Sequence, residues 1–226
     1  MRTLLVVPTR DDIDAREFVT AVKPLLERRD LPGLVRLLSG KWTAAQIVSL
    51  LHADCCDTRK VAALSLSLVG CRECLPDLVR QLRDPDPMIN QMAEHAVWSI
   101  WFRMGTPQAN CEVHRGVKAM DRRDFDAAVE HFTRAIGLSP TFAEAYNQRA
   151  TAHYLLERYD DSIADALAAV QHCPEHFGAW AGLGHCYACL GQINPAIEAY
   201  ERALSINPRL ECLHEAIAEL KSSRRG

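Results

Sequence analysis

Hydrophobic residues recur every three or four positions along most of the chain, which is the spacing of one face of an α-helix. Residues 14–29 and 31–39 carry two such amphipathic patterns, and residues 209–222 carry another. In the region before 209, the patterns occur as pairs separated by short polar turns. This arrangement predicts an all-α protein built from helical hairpins.

A regular repeat organises the C-terminal half. Pro140, Pro174 and Pro208 are spaced 34 apart, and each marks the end of a helix because proline cannot continue the helical hydrogen bonds. The copy that ends at Pro208 also contains Trp180, Leu183, Gly184, Tyr187, Gly191, Ala196, Tyr200 and Ala203 at fixed positions. This pattern resembles the tetratricopeptide repeat (TPR).

Two earlier copies keep part of the pattern. The middle copy has Tyr146, Ala150, Tyr159, Ala169 and Pro174, but Ser162 and Ala166 stand where a small residue and an aromatic residue are usual. The first copy has Gly116, Phe125, Ala128, Phe132, Ala135 and Pro140, with Glu112 at the tryptophan position. We predict repeats at about 109–142, 143–176 and 177–210, followed by a capping helix at 211–222.

A second, shorter period lies in the N-terminal half. Two sets of residues recur farther along the chain with the same separation. One set aligns Arg59, Ala62 and Ser65 with Asn90, Ala93 and Ala96. The other set aligns Ile47, Val48 and Leu51 with Leu78, Val79 and Leu82. This resembles HEAT repeats, including the HEAT-like repeats related to phycobilin lyases. The expected fold is an α-α superhelix, a right-handed solenoid of helical hairpins, with a HEAT-like region at 1–105 and a TPR domain at 106–226.

Composition narrows the classes of function. The chain has 26 basic and 29 acidic residues, so no clustered basic excess indicates nucleic-acid binding. The apolar run at residues 1–8 is too short for a secretory signal, and no run is long enough to cross a membrane. Nine cysteines, an odd number, argue against a complete disulfide framework. We therefore expect a cytoplasmic protein with reduced thiols.

Candidate chemistry is sparse. Two Cys-x-x-Cys pairs, Cys71/Cys74 and Cys186/Cys189, could supply four zinc ligands, but they lie much farther apart in the chain than the halves of a zinc ribbon, and small-residue packing is the favoured interpretation. The histidines and cysteines between 172 and 186 are interpreted as a solvated turn. The nucleophile-elbow, phosphate-loop and zinc-protease motifs are missing from the sequence. We predict no catalytic residues, no metal site and no cofactor.

The TPR resemblance implies where a partner would bind. In that family the first helix of each pair lines a concave groove that holds an extended peptide or a helix. By motif position this groove contains Asn110, Val113, Val117, Met120, Asp121, Glu144, Asn147, Thr151, Tyr154, Leu155, Gly178, Ala181, His185, Ala188 and Cys189. Chaperone-binding members use a clamp of lysine and asparagine for a C-terminal carboxylate, whereas this chain offers Val113, Val117, Gln148, Gly178 and Gly182 at those positions.

The sequence thus favours a non-catalytic adaptor that holds a protein or peptide partner in the TPR groove. Residues 106–226 have 12 basic and 16 acidic residues, a net charge of −4, which favours a neutral or basic partner. Two alternatives stay open: a chromophore lyase or chaperone of the phycobilin-lyase type, and a metal-binding regulator. Neither the partner's identity nor the oligomeric state follows from the sequence.

Overall fold

The computed structural model describes residues 13–223, and within that range it contains α-helices and two short 3₁₀ helices but no β-strand. The all-α class predicted from the hydrophobic pattern is confirmed. None of the described helices has the length and apolar character needed to span a bilayer. The expectation for residues 1–8 lies outside the described residues.

The chain divides into two compact units, residues 1–100 and 101–226. The α-helices of the first unit are α1 Ala15–Glu27, α2 Leu31–Lys41, α3 Ala44–Ser49, α4 Cys56–Val69, α5 Leu75–Gln81 and α6 Pro87–Trp101, and the last residue of α6 already belongs to the second unit. The 3₁₀ helices Leu50–His52 and Arg72–Cys74 follow α3 and precede α5. Among these, α1 packs on α2 and α4, and α3 packs on α4.

Arg59 and Asn90, which align in the sequence of the first unit, form similar hydrogen bonds. Arg59 donates to the carbonyl oxygen of Ala53, at 2.8 Å, and Asn90 donates to that of Asp84, also at 2.8 Å. Each donor thus holds the turn that precedes its helix. Arg59 also forms two bonds, of 2.8 and 3.2 Å, to the Asp84 carboxylate, which ties one turn to the next.

The second unit consists of three helical hairpins and a final helix. Its helices are α7 Pro107–Asp121, α8 Phe125–Leu138, α9 Ala143–Leu155, α10 Tyr159–His172, α11 Phe177–Cys189, α12 Ile193–Ile206 and α13 Glu211–Ser223. Each helix packs on its neighbours in the chain, and α7, α9 and α11 also contact one another in that order. The last residues of α8, α10 and α12 are evenly spaced. Just beyond each of them lies one of the prolines predicted to mark the helix ends.

The turns inside the three hairpins share one backbone conformation. Arg123, Glu157 and Gly191 occupy the same position of successive repeats and have φ values of 60°, 59° and 71°. The next amide N–H reaches back to a carbonyl oxygen in the last turn of the first helix; in the third hairpin, Gln192 donates to Tyr187 at 2.8 Å. This is the left-handed helix end that glycine favours.

Candidate functional site

A cavity of about 340 Å³ lies between α9, α10 and α11. Most of its lining comes from the first helix of the second and third repeats, which is the side of the hairpin that the TPR resemblance assigns to the groove. The lining residues are Asn147, Ala150, Thr151, Tyr154, Leu155, Ser162, Ala166, Gly178, Ala181, Gly182 and His185. Thr151, Leu155 and His185 are exposed, so the cavity opens to solvent.

The middle repeat lacks an aromatic ring that the other two repeats place between their helices. In the first repeat the ring of Phe132 lies directly on Gly116, and in the third the ring of Tyr200 lies on Gly184. The equivalent positions of the middle repeat are alanines 150 and 166, and both line the cavity. Two methyl groups therefore stand where the neighbouring repeats pack a complete ring.

Two hydroxyl groups that line the cavity, Ser162 at its base and Thr151 at its opening, already have partners within the protein. Ser162 donates to the carbonyl oxygen of Ala150 at 2.7 Å and accepts a hydrogen bond from the Cys186 thiol at 3.1 Å. The Thr151 hydroxyl donates to the carbonyl oxygen of Asn147 at 3.0 Å. Because these bonds are satisfied, the cavity offers an apolar floor with few demands for a polar ligand.

Two aromatic side chains flank the opening. The rings of Tyr154 and His185 have centroids 6.3 Å apart, and His185 Nδ1 forms a 2.8 Å hydrogen bond with the Tyr200 hydroxyl. Desolvation by the surrounding protein lowers the pKa of His185, so this imidazole is neutral at pH 7. Burial also raises the pKa of Tyr200 to about 12, which keeps its hydroxyl protonated. Neither His185 nor Tyr200 therefore brings a charge to the opening.

The structure brings together about half of the groove residues expected from the repeat pattern. Those that line the cavity are Asn147, Thr151, Tyr154, Leu155, Gly178, Ala181 and His185. All come from the second and third repeats. The cavity thus occupies one part of the expected groove, between two neighbouring hairpins.

Two of the expected groove residues must be removed from the candidate site. Val113 is 1% exposed and packs in the core of the first repeat with Phe132 and Phe142. Glu144 is also 1% exposed, and its carboxylate accepts a 2.8 Å hydrogen bond from the buried His176. Val113 thus belongs to the core of the first repeat, the Glu144 carboxylate has an internal partner, and neither residue lines the cavity.

The other expected groove residues lie away from the cavity. Val117 and Met120 are half-buried against the core of the first repeat, and Ala188 packs beside Tyr200 and the capping helix. Asn110 donates to the carbonyl oxygen of Arg103 at 3.3 Å. Asp121 and Cys189 are exposed outside the cavity lining.

The repeat positions do not indicate three of the lining residues, Ala150, Ser162 and Ala166, and they mark Gly182 only as a clamp position. A signal for them was present, because Ser162 and Ala166 are the two places where the middle copy departs from the repeat pattern. A missing aromatic residue in one copy of an array indicates either a collapsed core or an open space. Here the space is open.

The cysteines are all free thiols. In the first Cys-x-x-Cys pair the sulfur atoms of Cys71 and Cys74 are 3.8 Å apart, and the neighbouring Glu73 carboxylate, with burial, raises the pKa of Cys71 to about 12. That thiol is protonated at neutral pH. Among residues 13–223 no three or more His, Cys, Asp or Glu side chains are grouped so that they could hold a metal ion.

Comparison with known proteins gives the family of the repeats. Two family models of the tetratricopeptide repeat match residues 115–172 and 178–210. Small glutamine-rich tetratricopeptide repeat-containing protein 2 of Saccharomyces cerevisiae is 37% identical over 92 residues, which are 41% of this chain and 27% of that protein. A TPR repeat-containing protein of Rhizobium etli is 28% identical over 153 residues, 67% of this chain and 75% of that protein.

A solved structure shares the fold of about half of this chain. The first TPR domain of Spaghetti, bound to the HSP90 peptide SRMEEVD, has a TM-score of 0.52 and 19% identity, and the match covers 53% of this chain and 94% of that domain. The matches to the first two curated relatives span 27% and 30% of those proteins' lengths. Because two family models of the tetratricopeptide repeat match residues 115–172 and 178–210, these residues are tetratricopeptide repeats.

Proposed function

We propose that the protein is a non-catalytic adaptor that binds an extended peptide or a helix of a partner protein in the groove of its TPR repeats. The observation that carries this proposal is the open, uncharged cavity between α9 and α11. Family resemblance supports it, since the solved Spaghetti domain holds a peptide. We call the cavity and its opening the groove site.

Charge favours a neutral or basic apolar segment over an acidic tail. The HSP90 peptide in the Spaghetti structure ends in two glutamates, a valine and an aspartate. A peptide of that charge needs cations around its carboxylates, but none of the residues that line the groove site is a lysine or an arginine. The surplus of acidic residues in 106–226 also favours a neutral or basic segment over an acidic one.

The hydrogen bonds within the groove site support a binding role without catalysis. A hydrolytic serine needs a base within hydrogen-bond reach, whereas Ser162 is bonded to a backbone carbonyl oxygen and to the thiol of Cys186. His185, the imidazole at the opening, is bonded to a tyrosine hydroxyl. The groove-site residues thus form contacts that shape a surface.

The rest of the proposal concerns the whole chain. We propose that the chain consists of a HEAT-like region at 1–105 and a TPR domain at 106–226. We also propose that it acts in the cytoplasm and binds no nucleic acid, membrane or cofactor. The equivalent bonds made by Arg59 and Asn90 support a repeated unit in the first region. Groove residues outside the cavity, such as Asn110, Val117, Met120 and Ala188, would contact parts of the partner that extend beyond it.

A matched pair of glycines allows a clean test of the groove site. Gly182 lines it, Gly137 in α8 does not, and a β-carbon on either residue meets nothing within 4 Å. Leucine at 182 would therefore occupy the groove site with little disturbance of the core. We would pan a displayed library of random peptides against the wild-type chain and measure the selected peptides on both leucine variants.

The proposal expects Gly182→Leu to weaken the selected peptides at least 10-fold and Gly137→Leu to leave them within two-fold. Circular dichroism and urea unfolding of each variant confirm that both are folded. If no peptide is selected, or if the selected peptides bind Gly182→Leu as well as the wild type, the groove site is not where partners bind.

A further inference from the structure

We infer that the groove site is a receptor for one aromatic side chain, a phenylalanine or tyrosine of the bound segment, which takes the place of the ring that the middle repeat lacks. This inference rests on the proposed function and adds the chemistry of the anchoring residue. It follows from a comparison of the three repeats with one another.

The neighbouring repeats show what the space is shaped to hold. A β-carbon on Gly116 would lie less than 3.0 Å from the Phe132 ring, and one on Gly184 would lie equally close to the Tyr200 ring. In both repeats an aromatic ring thus fills the gap between two crossing helices. The middle repeat has Ala166 in place of the ring, and Ala150 and Ala166 both lie at the floor of the groove site.

The volume of the groove site is large enough for an aromatic side chain. A dry apolar cavity of about 150 Å³ is enough to bind benzene, and the groove site measures about 340 Å³. It can therefore hold a phenol ring together with its connecting methylene. The opening to solvent lets the backbone of a bound segment stay outside while the ring enters.

The surrounding chemistry selects a neutral ring. The base of the groove site is formed by Ala150 and Ala166 and by the Ser162 hydroxyl, which donates its hydrogen bond within the protein. A charged side chain would lose its hydration there without gaining an opposite charge. The rings of Tyr154 and His185 at the opening offer edges and faces to an incoming aromatic group.

The test uses p-cresol, which is the side chain of tyrosine with a hydrogen atom in place of the backbone. The wild-type chain should bind it with a dissociation constant of about 1 mM, with amide shifts in α9 and α11. The double variant Ala150→Gly/Ala166→Phe rebuilds the glycine and aromatic pair of the other repeats and should weaken p-cresol at least 10-fold. Leu167→Ala is the control, because Leu167 is exposed and lies outside the groove site.

Gly182→Leu gives an independent block if the double variant does not fold, and it should weaken p-cresol to the same degree. The peptides selected in the panning experiment should each contain an aromatic residue whose change to alanine removes binding. Groove-dependent peptides without an aromatic residue, or p-cresol affinity that survives in both blocking variants, would overturn the inference and leave the proposed function standing. A complete lack of groove-dependent peptides would overturn both.

Discussion

Gly184 and Tyr200 are in such close contact that a β-carbon on the glycine would lie less than 3.0 Å from the tyrosine ring. The ring is 2% exposed, and its hydroxyl is held by His185 at 2.8 Å. The ring therefore cannot move aside without losing burial and a hydrogen bond. This contact sets how closely α11 and α12 approach each other.

The contact predicts opposite effects for two glycines on the same helix. Gly184→Ala should lower the free energy of unfolding by about 1–3 kcal/mol, because the added methyl group overpacks the core. Gly182→Ala should raise it by up to about 1 kcal/mol, because alanine is the better helix former and its methyl group meets nothing within 4 Å. Urea unfolding of both variants measures the difference. Equal effects would show that the ring is free to move.

The left-handed turns predict a second contrast. Gly191→Ala should cost about 1 kcal/mol, since a side chain is strained at a φ of 71°. Glu157→Gly, at the same position of the preceding repeat, should cost nothing or stabilise slightly, because relief of strain offsets the added freedom of the unfolded chain. Thermal unfolding of the two variants tests this. A clear loss of stability in Glu157→Gly would argue against a strained turn.

Glu112 predicts a pH dependence of stability. It occupies the place of the TPR tryptophan, and its carboxylate is bound by His131 at 2.8 Å, by Arg134 at 3.0 Å and by Arg115. The hydrogen bonds from His131, Arg134 and Arg115 lower its pKa to about 2. A lowered carboxyl pKa gives stability that is present above the unfolded value of about 4.5 and is lost as the pH falls towards 2.

Glu112→Gln should therefore be less stable than the wild type at pH 6, by about 1–2 kcal/mol. The difference should shrink between pH 4.5 and pH 2. Glu130→Gln is the control, since its side chain is 74% exposed and contacts the same Arg134 at 3.7 Å. Urea unfolding across this pH range measures both variants, and a difference that is independent of pH would rule out the carboxylate as its source.

The buried pair of Glu144 and His176 predicts a large loss of stability. Both side chains are fully buried, and His176 Nδ1 accepts a 3.1 Å hydrogen bond from the Ala179 amide at the start of α11, so Nε2–H donates to Glu144. The imidazole also stacks on Trp101 at 3.9 Å. His176→Ala would leave a buried carboxylate without its main partner, at a cost of about 3 kcal/mol or more.

Urea unfolding of His176→Ala gives this value directly. His214→Ala serves as its control, because His214 is exposed on α13 and should change stability by less than about 0.5 kcal/mol. A loss of less than about 1 kcal/mol in His176→Ala would show that water or Gln148 replaces the imidazole.

The sequence predicts the hairpins well because their ends are marked by local chemistry. The three prolines and their constant spacing place the ends of α8, α10 and α12, at Leu138, His172 and Ile206. Such signals act over a short stretch of the chain. They do not depend on how the helices pack.

The groove site could be predicted only in part, because it depends on packing between repeats. The change to Ala166 is visible in the sequence, but whether neighbouring side chains close the gap depends on how well the core can collapse. The motif position of Glu144 places it in the groove, whereas its side chain is buried against His176, which precedes α11 and lies 32 residues away in the chain.

Hydrogen exchange of the whole chain, with and without a selected peptide, tests whether a partner binds in the TPR groove. We predict slower amide exchange in α9 and α11, around residues 147–155 and 178–185, and loss of this protection in Gly182→Leu but not in Gly137→Leu. Protection confined to residues 15–101 or to α13, with α9 and α11 unchanged, would contradict a partner site in the TPR groove.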